Sequence, residues 1–173
     1  MRLRFEPLDK AHDRASFRSG AAEIDDWFAR RAGQDARRNV ARVFVAVDPN
    51  APTHVLGFYS LGAYTIAIDD LPKDAARKLP RYDAIPAALI GRLARHEDAM
   101  GTGLGALLLA DALRRIVSAA ETLAVFAIVV DAKDARAAAF YQSFGFQLFP
   151  LRPKKLFLPT TTARTAMNSV QAT

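Results

Sequence analysis

The stretch Ala87-Ala88-Leu89-Ile90-Gly91-Arg92-Leu93-Ala94, followed after five residues by Met100-Gly101-Thr102-Gly103-Leu104-Gly105, organises the rest of the chain. Its first part is apolar nearly throughout, as a central strand covered on both faces must be. Gly91 inside it points to a bulge or a close backbone approach. After the glycines comes a helical period, with Leu109, Leu113, Ile116 and Val117 on one side and Asp111, Arg114, Arg115 and Ser118 on the side expected to face water. A glycine-rich turn from a buried strand into a helix permits a tight bend and exposes N–H groups at the positive end of the helix dipole, which favours a phosphate or pyrophosphate. A tight turn with no ligand is the simpler alternative. The spacing is not the dinucleotide-binding G-x-G-x-x-G, because the third glycine comes one residue early. It is not a P-loop either, because no Lys-Ser/Thr follows.

Working downstream, Val125 to Val130 predicts a second buried strand and Lys133 to Phe144 a helix ended by Gly145. Phe146 to Phe149 and Lys155 to Leu158 predict two final strands. From about Thr160 the chain is rich in threonine and lacks apolar periodicity, so residues 161–173 are expected to form a flexible tail after a single domain over 1–160. Working upstream, Asp69 to Pro86 carries three prolines and predicts a loop with one helical turn near Ala75 to Leu79. Arg42 to Val47 and Val55 to Ile66 predict an antiparallel hairpin, with Asp48-Pro49-Asn50-Ala51-Pro52 as its turn. Ile24, Trp27, Phe28 and Arg31 recur at helical spacing from about Ala21 to Arg31, and a second short helix is expected around Gln34 to Asn39. Leu3 and Phe5 alternate with Arg2, Arg4 and Glu6 in a short strand before Pro7.

The chain has 173 residues, no cysteine and a formal charge of +6. Disulfides, thiolate nucleophiles and cysteine-based metal sites are excluded, and a reducing compartment is expected. The first seven residues carry charges throughout, and no apolar run approaches the roughly 18 residues of a membrane span, so the expectation is a cytoplasmic protein with no membrane partner. The excess charge is mostly arginine: 14, 18, 30, 31, 37, 38 and 42 all fall in one N-terminal stretch. Arginine offers phosphate a planar bidentate fork, so the surface should attract phosphates, nucleic acid or an acidic partner; a solvated helix face is the bland alternative.

Ala139-Phe140-Tyr141-Gln142-Ser143-Phe144-Gly145-Phe146 lies downstream of the glycine turn, after another strand and helix. Taken alone, Tyr141 reads as a core or hydrogen-bonded tyrosine; with an ordinary pKa near 10 its phenol stays protonated at neutral pH. Together the two segments resemble the acetyl-CoA loop and the A-x-x-F-Y-x-x-x-G-F element of the GCN5-related N-acetyltransferases (GNAT). The resemblance implies an α/β fold with a mixed, mostly antiparallel sheet, whose central strands near 87–95 and 125–130 run parallel and splay to admit the cofactor. It further implies acetyl-CoA as the acetyl donor, with backbone N–H groups of Leu93, Ala94 and Arg95 on the acetyl carbonyl. Met100, Gly101, Thr102, Gly103, Leu104, Gly105 and Ala106 would cradle the pyrophosphate, and Tyr141 would protonate the departing thiolate.

A narrower resemblance covers almost the whole chain. Phe17-Arg18-Ser19-Gly20, Ile24-Asp25-Asp26-Trp27, Gly57-Phe58-Tyr59, Ile85-Pro86 leading into Leu89 to Ala94, and Leu156-Phe157-Leu158-Pro159 look like the GNAT toxins of bacterial toxin–antitoxin modules. Members of that group acetylate the α-amine of aminoacyl-tRNA, block translation and are wrapped by ribbon-helix-helix antitoxins. The resemblance assigns tRNA phosphates to arginines such as Arg37, Arg38, Arg77, Arg81 and Arg92, and is compatible with a homodimer. Two readings remain beside it: a GNAT acting on a small amine or a protein N-terminus, and a degenerate GNAT fold that only binds.

Several positions depart from the family pattern. Met100 and Thr102 stand where the acetyl-CoA loop usually carries Gln or Arg and a second basic residue, and Glu97 and Asp98 add negative charge nearby. These changes predict a weaker hold on the pyrophosphate unless the two carboxylates point away. Ser19 replaces a usual cysteine, and Asp131, Ala132 and Lys133 occupy the place of a cofactor-facing asparagine. His12 and His54 are expected in surface turns, with His96 the one histidine placed to approach a substrate amine. No His-Glu-x-x-His spacing points to a metal.

Overall fold

The structure, a computed structural model, describes residues 2–171. Met1 and residues 172–173 of the expected tail lie outside the described residues. Seven strands pair in the order β1-β2-β3-β4-β5-β7-β6. They are β1 (Arg4–Pro7), β2 (Arg42–Asp48), β3 (Ala51–Ala67), β4 (Ala84–Arg95), β5 (Ala127–Asp131), β6 (Gln147–Phe149) and β7 (Arg152–Pro159). The expected mixed, mostly antiparallel sheet with helices around it is present, and the parallel pair is β4 with β5. Two compact units form, Met1–Gly62 with Gly91–Ala112, and Ala63–Ile90 with Leu113–Thr173, the chain crossing from one to the other within β3, within β4 and again within the helix Leu104–Ala119.

The first unit holds α1 (Ala22–Arg30), α2 (Ala32–Arg37) and the start of α4 (Leu104–Ala119). Its core is aromatic: Phe17, Phe28 and Phe58 are at most 1% exposed, and the Phe28 and Phe58 rings stack at 4.1 Å. β1 and β2 pair antiparallel, as do β2 and β3, joined by a two-residue turn in which the Asp48 side chain accepts the Asn50 N–H at 2.8 Å. The strand therefore resumes at Ala51, earlier than the prolines suggested. Gly57 is where β3 lets the helix approach. A Cβ there would lie 2.8 Å from Leu108 Cδ1 and 3.1 Å from the Ala94 carbonyl. Only a residue without a side chain fits, and the N-terminal end of α4 is thereby seated with Leu104, Leu108 and Leu109 buried.

Asp111 overturns its sequence assignment. It is 7% exposed and accepts the Tyr59 hydroxyl at 2.5 Å. Helical period alone places it on the polar side, but a partner 52 positions away makes burial tolerable. His12 is also buried rather than superficial: its Nε2 lies 2.8 Å from Glu6 Oε1 and its Nδ1 accepts the Asp9 N–H. The hydrogen bond from His12 Nε2 is the main reason the Glu6 carboxyl is held below its usual range.

The second unit contains α3 (Lys73–Arg77), α5 (Ala135–Ser143) and α6 (Thr160–Gln171). β5 pairs antiparallel with β7, and β7 with β6. Ile66, Leu71, Ala127, Val129, Phe149 and Phe157 form its core. α3 starts directly after Pro72, about two residues earlier than expected, and α5 starts after Asp134, whose side chain caps the Ala137 N–H at 2.8 Å. The expected flexible tail is instead α6. The Thr160 N–H donates to the Phe126 carbonyl at 3.0 Å and Ala163 is 3% exposed. One or two small buried contacts anchor the helix, and such a short pattern leaves no apolar period to detect.

Candidate active site

In the first unit, β4 runs through Leu93, Ala94 and Arg95 to His96, which donates its N–H to the Leu56 carbonyl at 2.7 Å. One position after Gly91 the Arg92 N–H is taken by the Ser60 hydroxyl at 3.1 Å, a local irregularity in the ladder. The parallel pairing of β4 with β5 stops at Ile90↔Val130.

The glycine turn follows a short 3-10 turn at Glu97–Ala99. Gly101 and Gly103 have φ of +77° and +79°, which a residue with a side chain adopts only under strain, and nothing lies within 4 Å of the Cβ position of either. Helix α4 then begins at Leu104, so its first-turn N–H groups have no intrahelical acceptor. Among the described residues, the N–H groups of Gly101, Gly103, Leu104, Gly105 and Ala106 make no hydrogen bond. The Thr102 N–H and hydroxyl both turn back to the Ala99 carbonyl, at 3.3 and 2.6 Å. Thr102 thus shapes the turn and its N–H drops out of the expected cradle. The remaining donors at the start of a 16-residue helix suit a pyrophosphate.

Met100 is 64% exposed and leaves the approach to the turn without charge. The carboxylates that threatened repulsion have other neighbours. Asp98 Oδ2 lies 3.5 Å from His96 Nδ1 and 3.8 Å from His54 Nε2, and the Glu97 carboxylate lies beside Gly20. His54, His96 and Asp98 form a group that spacing in the chain did not reveal, with one potential ligand atom from each inside 4.8 Å. The His96 Nδ1 lone pair is occupied by the Asp98 N–H at 3.0 Å, so the group is built as a hydrogen-bonded turn. His96 is 7% exposed, which counts against its meeting a large substrate directly.

In the second unit, Tyr141 lies on α5 at 6% exposure, flanked by the rings of Phe140 and Phe146 at 5.2 and 5.7 Å. Its hydroxyl has no hydrogen-bond partner among the described residues. Burial first, and the charge of Asp131 second, push the phenol up to about 12. Asp131 itself pairs with Lys155 Nζ at 3.4 Å, and Lys155 also donates to the Tyr64 hydroxyl at 2.8 Å. Burial would lower the Lys155 pKa, but Tyr64 and Asp131 outweigh it and the ammonium is held charged.

The five arginines expected on RNA divide between the units. Arg77 pairs with Asp74 at 2.5 Å and Arg81 is exposed, both in the second. In the first, Arg37 and Arg38 are exposed at the end of α2, and Arg92 stacks over the Trp27 ring at 4.0 Å. The indole is in turn held by its Nε1–H on Asp35 at 3.0 Å. Burial, with Arg31 adding its charge against the opposing pull of Asp35, lowers the Arg92 pKa. Arg31 beside Arg92 was not singled out from sequence; the arginine-rich stretch was its only signal.

The family model for the GNAT acetyltransferase domain matches residues 39–148. A probable toxin TacT of Sinorhizobium fredii is 35% identical over 170 residues, covering 94% of this chain and 93% of that protein. A tRNA-acetylating toxin of Mycobacterium tuberculosis is 36% identical over 157 residues, covering 91% and 92%. Among solved structures, AtaT complexed with acetyl-methionyl-tRNAfMet superposes with a TM-score of 0.88 at 28% identity, over 96% of this chain and 99% of that one.

Proposed function

Because the chain belongs to the GNAT acetyltransferases, we propose that it moves an acetyl group from acetyl-CoA to the α-amine of aminoacyl-tRNA, as a translation-blocking toxin held in check by a ribbon-helix-helix antitoxin. Its place of action would be the cytoplasm, where charged tRNA is used. The observation that carries the acetyl-transfer reading is the row of unpartnered N–H groups at Gly101 and Gly103 to Ala106, at the N-terminus of α4.

Acetyl-CoA supplies an acetyl thioester whose carbonyl carbon is open to attack by a neutral amine. Gly101 and Gly103 to Ala106 would hold the pyrophosphate through backbone N–H groups and the helix dipole. The N–H groups of Arg92 and His96 are turned to β3, so on the alternating backbone those of Leu93 and Arg95 would be the ones to meet charge developing on the carbonyl oxygen. The Tyr141 hydroxyl holds its proton throughout the physiological range and would give it to sulfur as the C–S bond breaks, while the proton that the attacking nitrogen sheds as the amide forms would pass to water, from which the phenol is restored. A phenol near 12 is a reluctant acid against a thiol of about 8.5 in water, but desolvation raises a thiolate as it raises a phenolate, which narrows the gap. An α-amine of about 7.7–8.0 is partly neutral already, so no dedicated base is required. Arg37, Arg38, Arg77, Arg81 and Arg92 would contact tRNA phosphates.

The test is acetyl transfer from labelled acetyl-CoA to aminoacyl-tRNA and to small amines in parallel, across a salt series. Transfer to tRNA that weakens steeply with salt is expected. Salt-insensitive transfer confined to small amines would refute the tRNA assignment.

A further inference from the structure

Helices α1 and α2 each end on carbonyl groups gripped by an arginine. Arg14 Nη1 donates to the carbonyls of Phe28 and Ala29 at 3.3 and 3.2 Å, and Arg42 Nη1 donates to that of Ala36 at 3.3 Å while its Nη2 reaches Asn39 Oδ1. Helix C-termini carry partial negative charge, so these contacts hold the two guanidinium groups in place. A Cβ on Gly33 would come within 3.2–3.3 Å of the Arg14 guanidinium, so the glycine makes room for it. The two arginines form part of the wall of a cleft of about 470 Å³ that Lys10 and Arg37 also line. Lys10 and Arg37 are exposed and have no ion pair among the described residues. Asp9 is the one carboxylate in the lining, and it accepts the Ala11 N–H within its own turn.

We propose that this cleft binds the ribose–phosphate backbone of RNA and grips the body of the tRNA substrate apart from its reacting end. The proposal rests on the aminoacyl-tRNA reading above. A guanidinium bound to a carbonyl through one edge keeps further donors for a phosphate, and fixing it beforehand reduces the ordering cost of binding. The four cations come from three separate segments around an open cleft, an arrangement suited to a polyanion with repeated charges more than to a single carboxylate. None of Lys10, Arg14 and Arg42 belongs to the arginine set assigned by family resemblance.

Lys10→Glu and Arg37→Glu, made singly at exposed positions, are compared with Lys154→Glu, an equal charge change outside the cleft. Acetyl-CoA calorimetry checks that each variant is folded. The expected result is a rise of about tenfold or more in KM for aminoacyl-tRNA and a salt dependence reduced by about one phosphate contact per variant, absent in Lys154→Glu. If wild-type protein acetylates aminoacyl-tRNA but the cleft variants behave like Lys154→Glu, the arginines are helix caps only and the cleft proposal fails. Unchanged KM with a lost grip on an antitoxin would assign the cleft to a protein partner and overturn the proposal equally. If wild-type protein acetylates no aminoacyl-tRNA, the substrate reading falls; a gel shift with uncharged tRNA then decides the cleft separately.

Discussion

Asp131 at the end of β5 acts on the phenol of Tyr141, adding its charge to the larger effect of burial and pushing the hydroxyl up to about 12. Tyr141→Phe should therefore keep the fold and acetyl-CoA affinity while lowering turnover by about 10²–10⁴-fold, measured under saturating donor. The raised value also sets a sign. The folded state keeps the proton between about 10 and 12, where the unfolded chain has lost it, so the Tyr141 contribution to stability is complete below 10 and disappears as pH rises through 12. The difference in unfolding free energy between wild type and Tyr141→Phe should shrink over that alkaline window. Asp131→Asn should bring the tyrosine titration down only part of the way, because burial remains.

The turn between β4 and α4 offers two contrasting tests. Met100 is exposed and uncharged, so Met100→Arg should strengthen acetyl-CoA binding by about two- to fivefold in calorimetry, the scale of an exposed ion pair of up to about 1 kcal/mol. Gly101→Ala and Gly103→Ala meet no neighbouring atom but force a side chain into positive φ. Each should cost about 1–2 kcal/mol and weaken acetyl-CoA binding about tenfold through a displaced cradle.

Gly57→Ala tests the opposite limitation. Its obstacle is space: the new methyl would press on Leu108 and on the Ala94 carbonyl. A loss of about 1–3 kcal/mol in denaturant unfolding is expected. Stability equal to wild type would show that α4 can move off β3 without penalty.

Arg92 stacks its planar fork on Trp27, and a lysine cannot reproduce either the stacking or the bidentate geometry. Arg92→Lys should raise KM for aminoacyl-tRNA while leaving acetyl-CoA affinity unaltered. An unchanged KM would remove Arg92 from the RNA-binding set.

The glycine turn, the buried β4 and the α5 motif were readable because each is local: apolar runs, glycine spacing and helical period are properties of neighbouring residues. The expected sheet class followed from them with the help of resemblance. Element ends moved by a few residues, at α5 because the Asp134 side chain caps the helix, and at α3 because the helix begins directly after Pro72 with no side-chain cap. Asp111 and His12 were misplaced because a polar residue's burial depends on a partner, and Tyr59 and Glu6 are not identifiable as partners from one dimension. Helix α6 was missed because a few small contacts hold it in place of an apolar face.

Composition excluded cysteine chemistry, glycine placement marked a tight turn with exposed donors, and the resemblance carried by that turn and the tyrosine motif pointed to the acetyltransferase family, since backbone freedom and side-chain chemistry are carried by the residues themselves. Only folding determined that the Thr102 N–H is spent on Ala99, that Asp98 turns toward two histidines, that burial raises Tyr141, and that four cations from separate segments line one cleft. Those outcomes depend on the conformation the packed chain imposes on local turns, on distances between residues remote in the chain such as His54 and Asp98, and on the exclusion of water, none of which exists before the chain is packed.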